Sequence, residues 1–287
     1  MKYGFIGLGN LGAPIAENIL ANVKELFIFN RTASRAQPLV EKGATLCQSV
    51  KELASLCDVV FSVESNDAAL IEITEGSEGI AANLKPGGIH ISVSTILPAT
   101  AKALSQLHHG NNNHYLASPV MGRPEAARAG KLNFFVSGDK MIIEKTKPLL
   151  MLAGAAGIWE FGEGEAANVA KLCSNFLIVS AIESMAEVIQ LATKSGLDAS
   201  VWLNVLTQTL FSSPIYNNYS GILLKEQFQP ASFSLRLGSK DLNLVMEQAS
   251  TVQANMPFGK SIQKQLNDCL KNGLGEYDWT AVALALK

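Results

Sequence analysis

The chain has 287 residues, 48% of them hydrophobic and 17% charged, with a formal net charge of -2. That composition excludes a disordered chain, and the length suits two domains at about 100–200 residues each. The near-neutral charge gives no reason to expect nucleic acid or an anionic membrane as a partner, and no uninterrupted apolar run approaches the roughly 18 residues of a membrane span. An apolar strand starts at once, so a leader peptide is not expected and a cytoplasmic protein is.

The first strand, 2–6, runs into the turn Gly7-Leu8-Gly9-Asn10-Leu11-Gly12, and a helical stretch follows from Ala13 to Leu20. This order suits a dinucleotide pyrophosphate. Gly7 permits the tight turn, Gly9 lets the backbone approach the phosphates, and Gly12 lets the helix pack close to the strand. The second strand, 26–29, ends in Asn30-Arg31-Thr32, where an NAD site usually places Asp or Glu. A neutral residue followed by Arg suits the 2′-phosphate of NADP(H). Further strands are expected at 44–46, 58–63, 89–93, 114–117, 133–137 and 157–161. Helical stretches are expected at 34–42, 49–55, 67–71 and 98–107. This alternation predicts right-handed crossovers and a Rossmann-type, doubly wound parallel sheet. His108, His109 and His114 are read as part of a polar loop with Asn111 to Asn113, and His90 as packed within its strand. The four cysteines form no Cys-x-x-Cys pair, so small buried thiols are expected, and no metal site.

The pattern changes near Gly162. From Glu165 to Lys194 there is no Pro or Gly, and apolar residues recur at Val169, Leu172, Phe176, Val179, Ile182, Met185 and Ile189. That spacing predicts one helix, about 45 Å long, joining two domains, with Gly196 as its stop. Only helical segments follow: 199–210, 214–223, 238–254 and 258–271. The expected fold is thus a nucleotide-binding domain over 1–163 and an all-α C-terminal domain over 164–287, joined by the long helix.

Several segments carry residues suited to chemistry. Val63-Glu64 and Ser94-Thr95 end apolar strands on the side where an open parallel sheet binds ligands, although Ser and Thr also end strands for turn reasons. Ser118-Pro119-Val120-Met121-Gly122-Arg123 is a loop whose backbone donors can hold a carboxylate, with Arg123 adding a two-pronged contact or simply lying in solvent. Lys171 and Asn175 are at i and i+4, hence on one face of the long helix. Partial desolvation would prepare that lysine for proton transfer; a head group left in water would not. Lys240-Asp241 is read as opening a helix, an unfavourable place for a lysine unless it meets an anion or solvent.

Taken together these residues resemble the β-hydroxyacid dehydrogenase family, and the resemblance covers nearly the whole chain. Gly7 to Gly12 looks like its cofactor fingerprint, Ser94-Thr95 like its pair beside the nicotinamide, and 119–123 like its substrate carboxylate loop. Gly162-x-Gly164 with Lys171 and Asn175 looks like its catalytic helix, and Lys240-Asp241 like its Lys-Asp near the cofactor. The resemblance implies that Lys171 is the general acid, that Asn175 orients it and the substrate, and that Lys240 contacts the cofactor. It implies a small acidic carbonyl or hydroxyacid substrate bound by Ser118, Met121, Gly122, Arg123, Lys171 and Asn175, and assembly as a homodimer or homotetramer. Met121 and Arg123 depart from the family's Ser-Gly pair, and the loop also resembles that of imine reductases. Imine reduction and a non-catalytic NADP-binding scaffold therefore stand as alternatives.

Overall fold

The computed structural model describes residues 1–286, and two compact units meet inside one helix, at Lys171 and Leu172. In the first unit, β1 (Tyr3–Ile6), β2 (Leu26–Phe29), β3 (Thr45–Leu46), β4 (Val59–Ser62), β5 (Ile89–Ser92) and β6 (His114–Ala117) form one sheet in the order β3-β2-β1-β4-β5-β6, parallel throughout. Its crossovers include α1 (Gly12–Asn22), α2 (Gln37–Val40), α3 (Val50–Leu56), α4 (Asp67–Thr74), α5 (Ile80–Asn83) and α6 (Pro98–Gly110). All residues of β4 and β5 are buried, as a sheet covered on both faces requires. One apolar cluster packs Phe5, Ile15, Ile19, Ile28, Phe61 and Ile91; a second, on Ile6, Leu53, Val60 and Ile80, covers the opposite face. The strand order reverses between β1 and β4. Ile6 pairs in register with Ser62, so the loops after both strands leave the sheet side by side.

A second, three-stranded sheet is an addition to the expected single sheet. Here β7 (Val120–Met121) pairs antiparallel with β8 (Leu132–Val136), and β8 pairs parallel with β9 (Ala155–Glu160). Two residues of β7 are too few to show alternation in sequence. Between these strands lie α7 (Pro124–Arg128) and α8 (Lys140–Leu152). Asp139 caps α8 by accepting from the backbone N–H groups of Met141 and Ile142. Pro148 inside α8 disguises it in sequence.

The expected long helix is present as α9 (Ala166–Lys194). Gly196, at φ +79°, ends it: its N–H reaches the Thr193 carbonyl and Leu197 N–H that of Ala192. By length and mean hydropathy, 1.5 over its most apolar window, α9 is long and apolar enough to cross a membrane, although polar residues interrupt its apolar runs. It nevertheless buries Asn175 and Glu183 within the molecule, as a core helix does. In the second unit follow α10 (Ala199–Gln208), α11 (Pro214–Lys225), α12 (Leu235–Thr251) and α13 (Pro257–Lys271), then two short 3-10 segments. Helix α12 starts three residues earlier than expected, N-capped by Ser234, so Lys240 and Asp241 lie in its second turn rather than opening it.

The histidines also sit differently. His108 and His109 belong to the last turn of α6, and His114 begins β6. His90 and His108 are fully buried and joined in a chain. Asn113 Nδ2 donates to the Ala81 and Leu84 carbonyls, so its Oδ1 accepts from His108 Nδ1–H at 2.6 Å. His108 Nε2 then accepts from His90 Nδ1–H at 3.1 Å, and His90 Nε2 from the Ser62 hydroxyl at 2.8 Å. Each ring has one nitrogen donating and the other accepting, which suits two neutral imidazoles. Burial accordingly pushes both below the usual histidine range, His108 to about 4.

Candidate active site

The glycine turn has the shape of an anion cradle. Gly7 has φ +91°, a conformation that L side chains rarely adopt. A Cβ on Gly12 would stand 1.9 Å from the Gly7 carbonyl oxygen, whereas one on Gly9 would meet nothing within 4 Å. The open side of the turn is thus at Gly9, where a phosphate would approach. Helix α1 begins at Gly12 with no side-chain cap; Ala13 N–H donates to the Gly9 carbonyl, so the positive end of the helix dipole lies at that space. Asn30 works from behind: its Oδ1 accepts from Leu8 N–H at 2.8 Å, and its Nδ2 donates to the Thr32 carbonyl. Asn30 therefore holds the turn and shapes the segment that carries the exposed Arg31. These residues fit a nicotinamide dinucleotide, with the diphosphate at Gly9 to Gly12.

The ends of β4 and β5 are tied together beside the turn. Glu64 N–H donates to Ser94 Oγ at 2.8 Å, so this buried hydroxyl fastens the two strand ends. A Cβ on Gly7 would stand 2.2 Å from the Val63 carbonyl oxygen and 3.1 Å from Glu64 Oε1, which places this carboxyl over the first glycine. Its pKa is raised from 4.5 to about 7; burial is the largest cause, Arg31 opposes it and Glu72 adds to it. Thr95 is half-buried at the same strand end.

The loop after β6 also belongs to this unit. Ser118 is fully buried and its N–H donates to the Ser92 carbonyl at 2.7 Å. Gly122, at φ +146°, packs where a Cβ would collide with Leu132 at 2.5 Å. Arg123 immediately precedes α7 and is half-buried. The α9 end of the unit is anchored through its two glycines. Gly138 N–H donates to the Gly162 carbonyl, and Ser137 Oγ donates to the Gly164 carbonyl while accepting from Ala167 N–H. So anchored, the first turns of α9 bring Lys171 Nζ to 3.5 Å from Met121 Sδ, across 50 residues of sequence. A thioether is a weak acceptor, so it supports the ammonium without holding its proton strongly.

In the second unit, buried Asn175 donates through Nδ2 to Asp241 Oδ2 at 2.6 Å. Asp241 Oδ1 in turn pairs with Lys240 Nζ at 2.5 Å. In sequence, Asp241 stood only as the neighbour of Lys240, with no role of its own. Its adjacency to Lys240 was visible, but its contact with Asn175, 66 residues away, was not. Lys171 and Asn175 remain one turn apart on α9, as their spacing requires. No group of three or more His, Cys, Asp or Glu side chains suited to a metal occurs among the described residues.

Residues 2–172 match the NAD binding domain of 6-phosphogluconate dehydrogenase, and residues 165–286 match the NAD-binding family of NADP-dependent 3-hydroxyisobutyrate dehydrogenase. The chain is 35% identical to YfjR, an uncharacterised oxidoreductase of Bacillus subtilis, over the whole of both proteins. It is 31% identical to the chloroplastic glyoxylate/succinic semialdehyde reductase 2 of Arabidopsis thaliana, covering all of this chain and 80% of the relative. The Mycobacterium tuberculosis 3-hydroxyisobutyrate dehydrogenase, solved with L-serine, superposes with a TM-score of 0.89 at 25% identity, covering 100% of this chain and 99% of that one. The two halves carry matching family signatures in the expected order, and the chain belongs to the β-hydroxyacid dehydrogenase family of NAD(P)-binding oxidoreductases.

Proposed function

We propose that this protein is an NADP-dependent enzyme that interconverts a small β-hydroxyacid, or a related hydroxyacid, and its semialdehyde or keto acid. The observation that carries this reading is the placement of Lys171 Nζ beside Met121, which joins the lysine of α9 to the loop expected to receive the substrate carboxylate. When bound, the nicotinamide supplies or accepts the hydride. Lys171 then donates a proton to the carbonyl oxygen during reduction and takes it back during oxidation, so that no full alkoxide charge builds up. The family resemblance assigns Asn175, which donates to Asp241, to orienting the substrate, and Lys240, which pairs with Asp241, to the cofactor. Arg123 favours an acidic substrate, and Met121 replaces a hydroxyl contact with an apolar one. Arg31, exposed after β2 with no carboxylate at residue 30, supports selection of the 2′-phosphate. Exposed apolar side chains in the second unit, Leu177, Leu191, Val201, Val205 and Leu210, support assembly as a homodimer or homotetramer.

The test combines a substrate panel with one substitution. Purified protein with NADPH is offered glyoxylate, succinate semialdehyde, other short keto acids and a cyclic imine, and with NADP+ the matching hydroxyacids. Turnover of an acidic aldehyde or keto acid that is lost in Lys171→Ala, with NADPH binding retained, supports the reading. Full activity of Lys171→Ala removes the lysine from the mechanism. Imine turnover without aldehyde turnover replaces the substrate class, and binding with no turnover at all points to a scaffold.

A further inference from the structure

One charged group in the cofactor crevice has the wrong sign for its place. The chain leaves β1 at Gly7 and β4 at Val63 and Glu64, and these strands are the neighbours at which the sheet order reverses, the position where such sheets take their ligand. Val63 N–H donates to the Ile6 carbonyl at 3.0 Å and Glu64 N–H to Ser94 Oγ at 2.8 Å, so the backbone that presents Glu64 is held at both residues. Its Oε1 lies over Gly7, within 3.1 Å of where a Cβ would be. A diphosphate resting on the same turn would bring two further negative charges against this carboxyl.

We propose that Glu64 couples dinucleotide binding to uptake of one proton, its carboxyl being neutral in the complex and donating its O–H to a phosphate oxygen. The inference rests on the reading that the dinucleotide lies against the glycine turn. The coupling stands on that placement of the carboxyl over the turn, and its electrostatic surroundings support it. Burial raises the free carboxyl to about 7, so its protonation changes near neutral pH. Of the charged groups that face it, Arg31, from the loop after β2, favours the ionised form, and Glu72, from α4, opposes it. A 2′-phosphate at Arg31 would draw away that cation and leave the ionised form without support. A protonated carboxyl, by contrast, presents a donor to an anion, as an ionised one does not.

Calorimetry separates the possibilities. Binding of NADH and of NADPH is measured at about pH 8 in two buffers of different ionisation enthalpy, and dissociation constants are followed between about pH 6 and pH 8.5. NADH is the cleaner probe because it lacks the 2′-phosphate, which itself titrates. The wild-type protein is expected to take up close to one proton per site at pH 8, with the NADH dissociation constant rising about tenfold per pH unit above the free pKa. Glu64→Gln is expected to take up none and to bind with an affinity independent of pH. Glu72→Gln, a change at an exposed residue, is expected to move the onset of the rise to lower pH without removing it. Tight binding with no buffer-dependent heat, or equal proton uptake in Glu64→Gln, overturns the coupling while leaving the cofactor site in place. Absence of binding by either dinucleotide overturns the cofactor site itself and the coupling with it.

Discussion

Acidification from about pH 8 to about pH 5 probes the buried chain from Ser62 through His90 and His108 to Asn113. In the folded protein both rings are neutral, and His108 takes up a proton only near pH 4, against 6.5 for a free histidine. The unfolded chain therefore binds more protons below pH 6.5. Stability contributed by the neutral rings is complete above pH 6.5 and is lost as the pH falls from there toward 4. At pH 5 the gap from the unfolded value is about 1.5 pH units, which at about 1.4 kcal/mol per unit is about 2 kcal/mol for His108. The wild-type curve alone conceals this loss. Glu183, raised to about 7 by burial and by Glu187, gains stability over much of the same range as the pH falls. The informative quantity is the difference between the wild type and His108→Gln, whose amide can still accept from His90 and donate to Asn113 without titrating. Urea unfolding at about pH 8, 6.5 and 5, at constant ionic strength, measures it. The stability of the wild type relative to the variant should fall by about 2 kcal/mol between pH 8 and pH 5. Curves that stay parallel to within about 0.5 kcal/mol would refute the neutral, proton-resistant chain.

Four further outcomes are expected. Lys171→Ala should lower turnover by about 10²–10⁴-fold with little change in NADPH affinity, read by steady-state kinetics beside fluorescence titration. Arg31→Ala should weaken NADPH by about 10–100-fold, the worth of a charge-assisted contact, and leave NADH nearly unchanged at about pH 6, where Glu64 is already protonated; tighter NADH than NADPH in the wild type would refute the assignment of Arg31. Glu183, only 1% exposed, has a folded pKa above its unfolded value, so its ionisation costs stability as the pH rises from 4.5 through about 7. Glu183→Gln should therefore gain up to about 3 kcal/mol at pH 8 and only about 1 kcal/mol at pH 5, by urea unfolding. Gly12→Ala must move the Gly7 carbonyl that its Cβ would strike, so it should cost at least about 1–3 kcal/mol, lower the melting temperature and weaken dinucleotide binding.

Features governed by near neighbours were legible in the amino-acid order. The turn at 7–12 is local chemistry: a strand, glycines where only glycine fits, and a helix start within a few residues. The six parallel strands announced themselves as short apolar runs between helical spacers. Helix α9 was evident from its spacing and from the absence of Pro and Gly over 165–194, and Gly196 as its stop from backbone freedom. Two-residue β7 and the Pro-containing α8 escaped because their local signals are weak or contradictory.

What only the tertiary structure decided are relations between residues far apart in the chain and the charge states that burial imposes. Nothing in the spacing of Met121 and Lys171 says that they meet, nor that Asp241 bridges Asn175 and Lys240. His108 read as part of a polar loop because Asn residues follow it, yet packing turns it inward onto His90. Asn30 was read in sequence as the neutral residue before Arg31, and the fold adds that it holds the glycine turn. Glu64 was visible as a strand end, but its position over Gly7 and its near-neutral pKa arise from the adjacency of β1 and β4 and from loss of solvent. Local sequence specifies backbone preference and which face of an element is apolar; desolvation and contact depend on which faces the folded sheet and helices bring together.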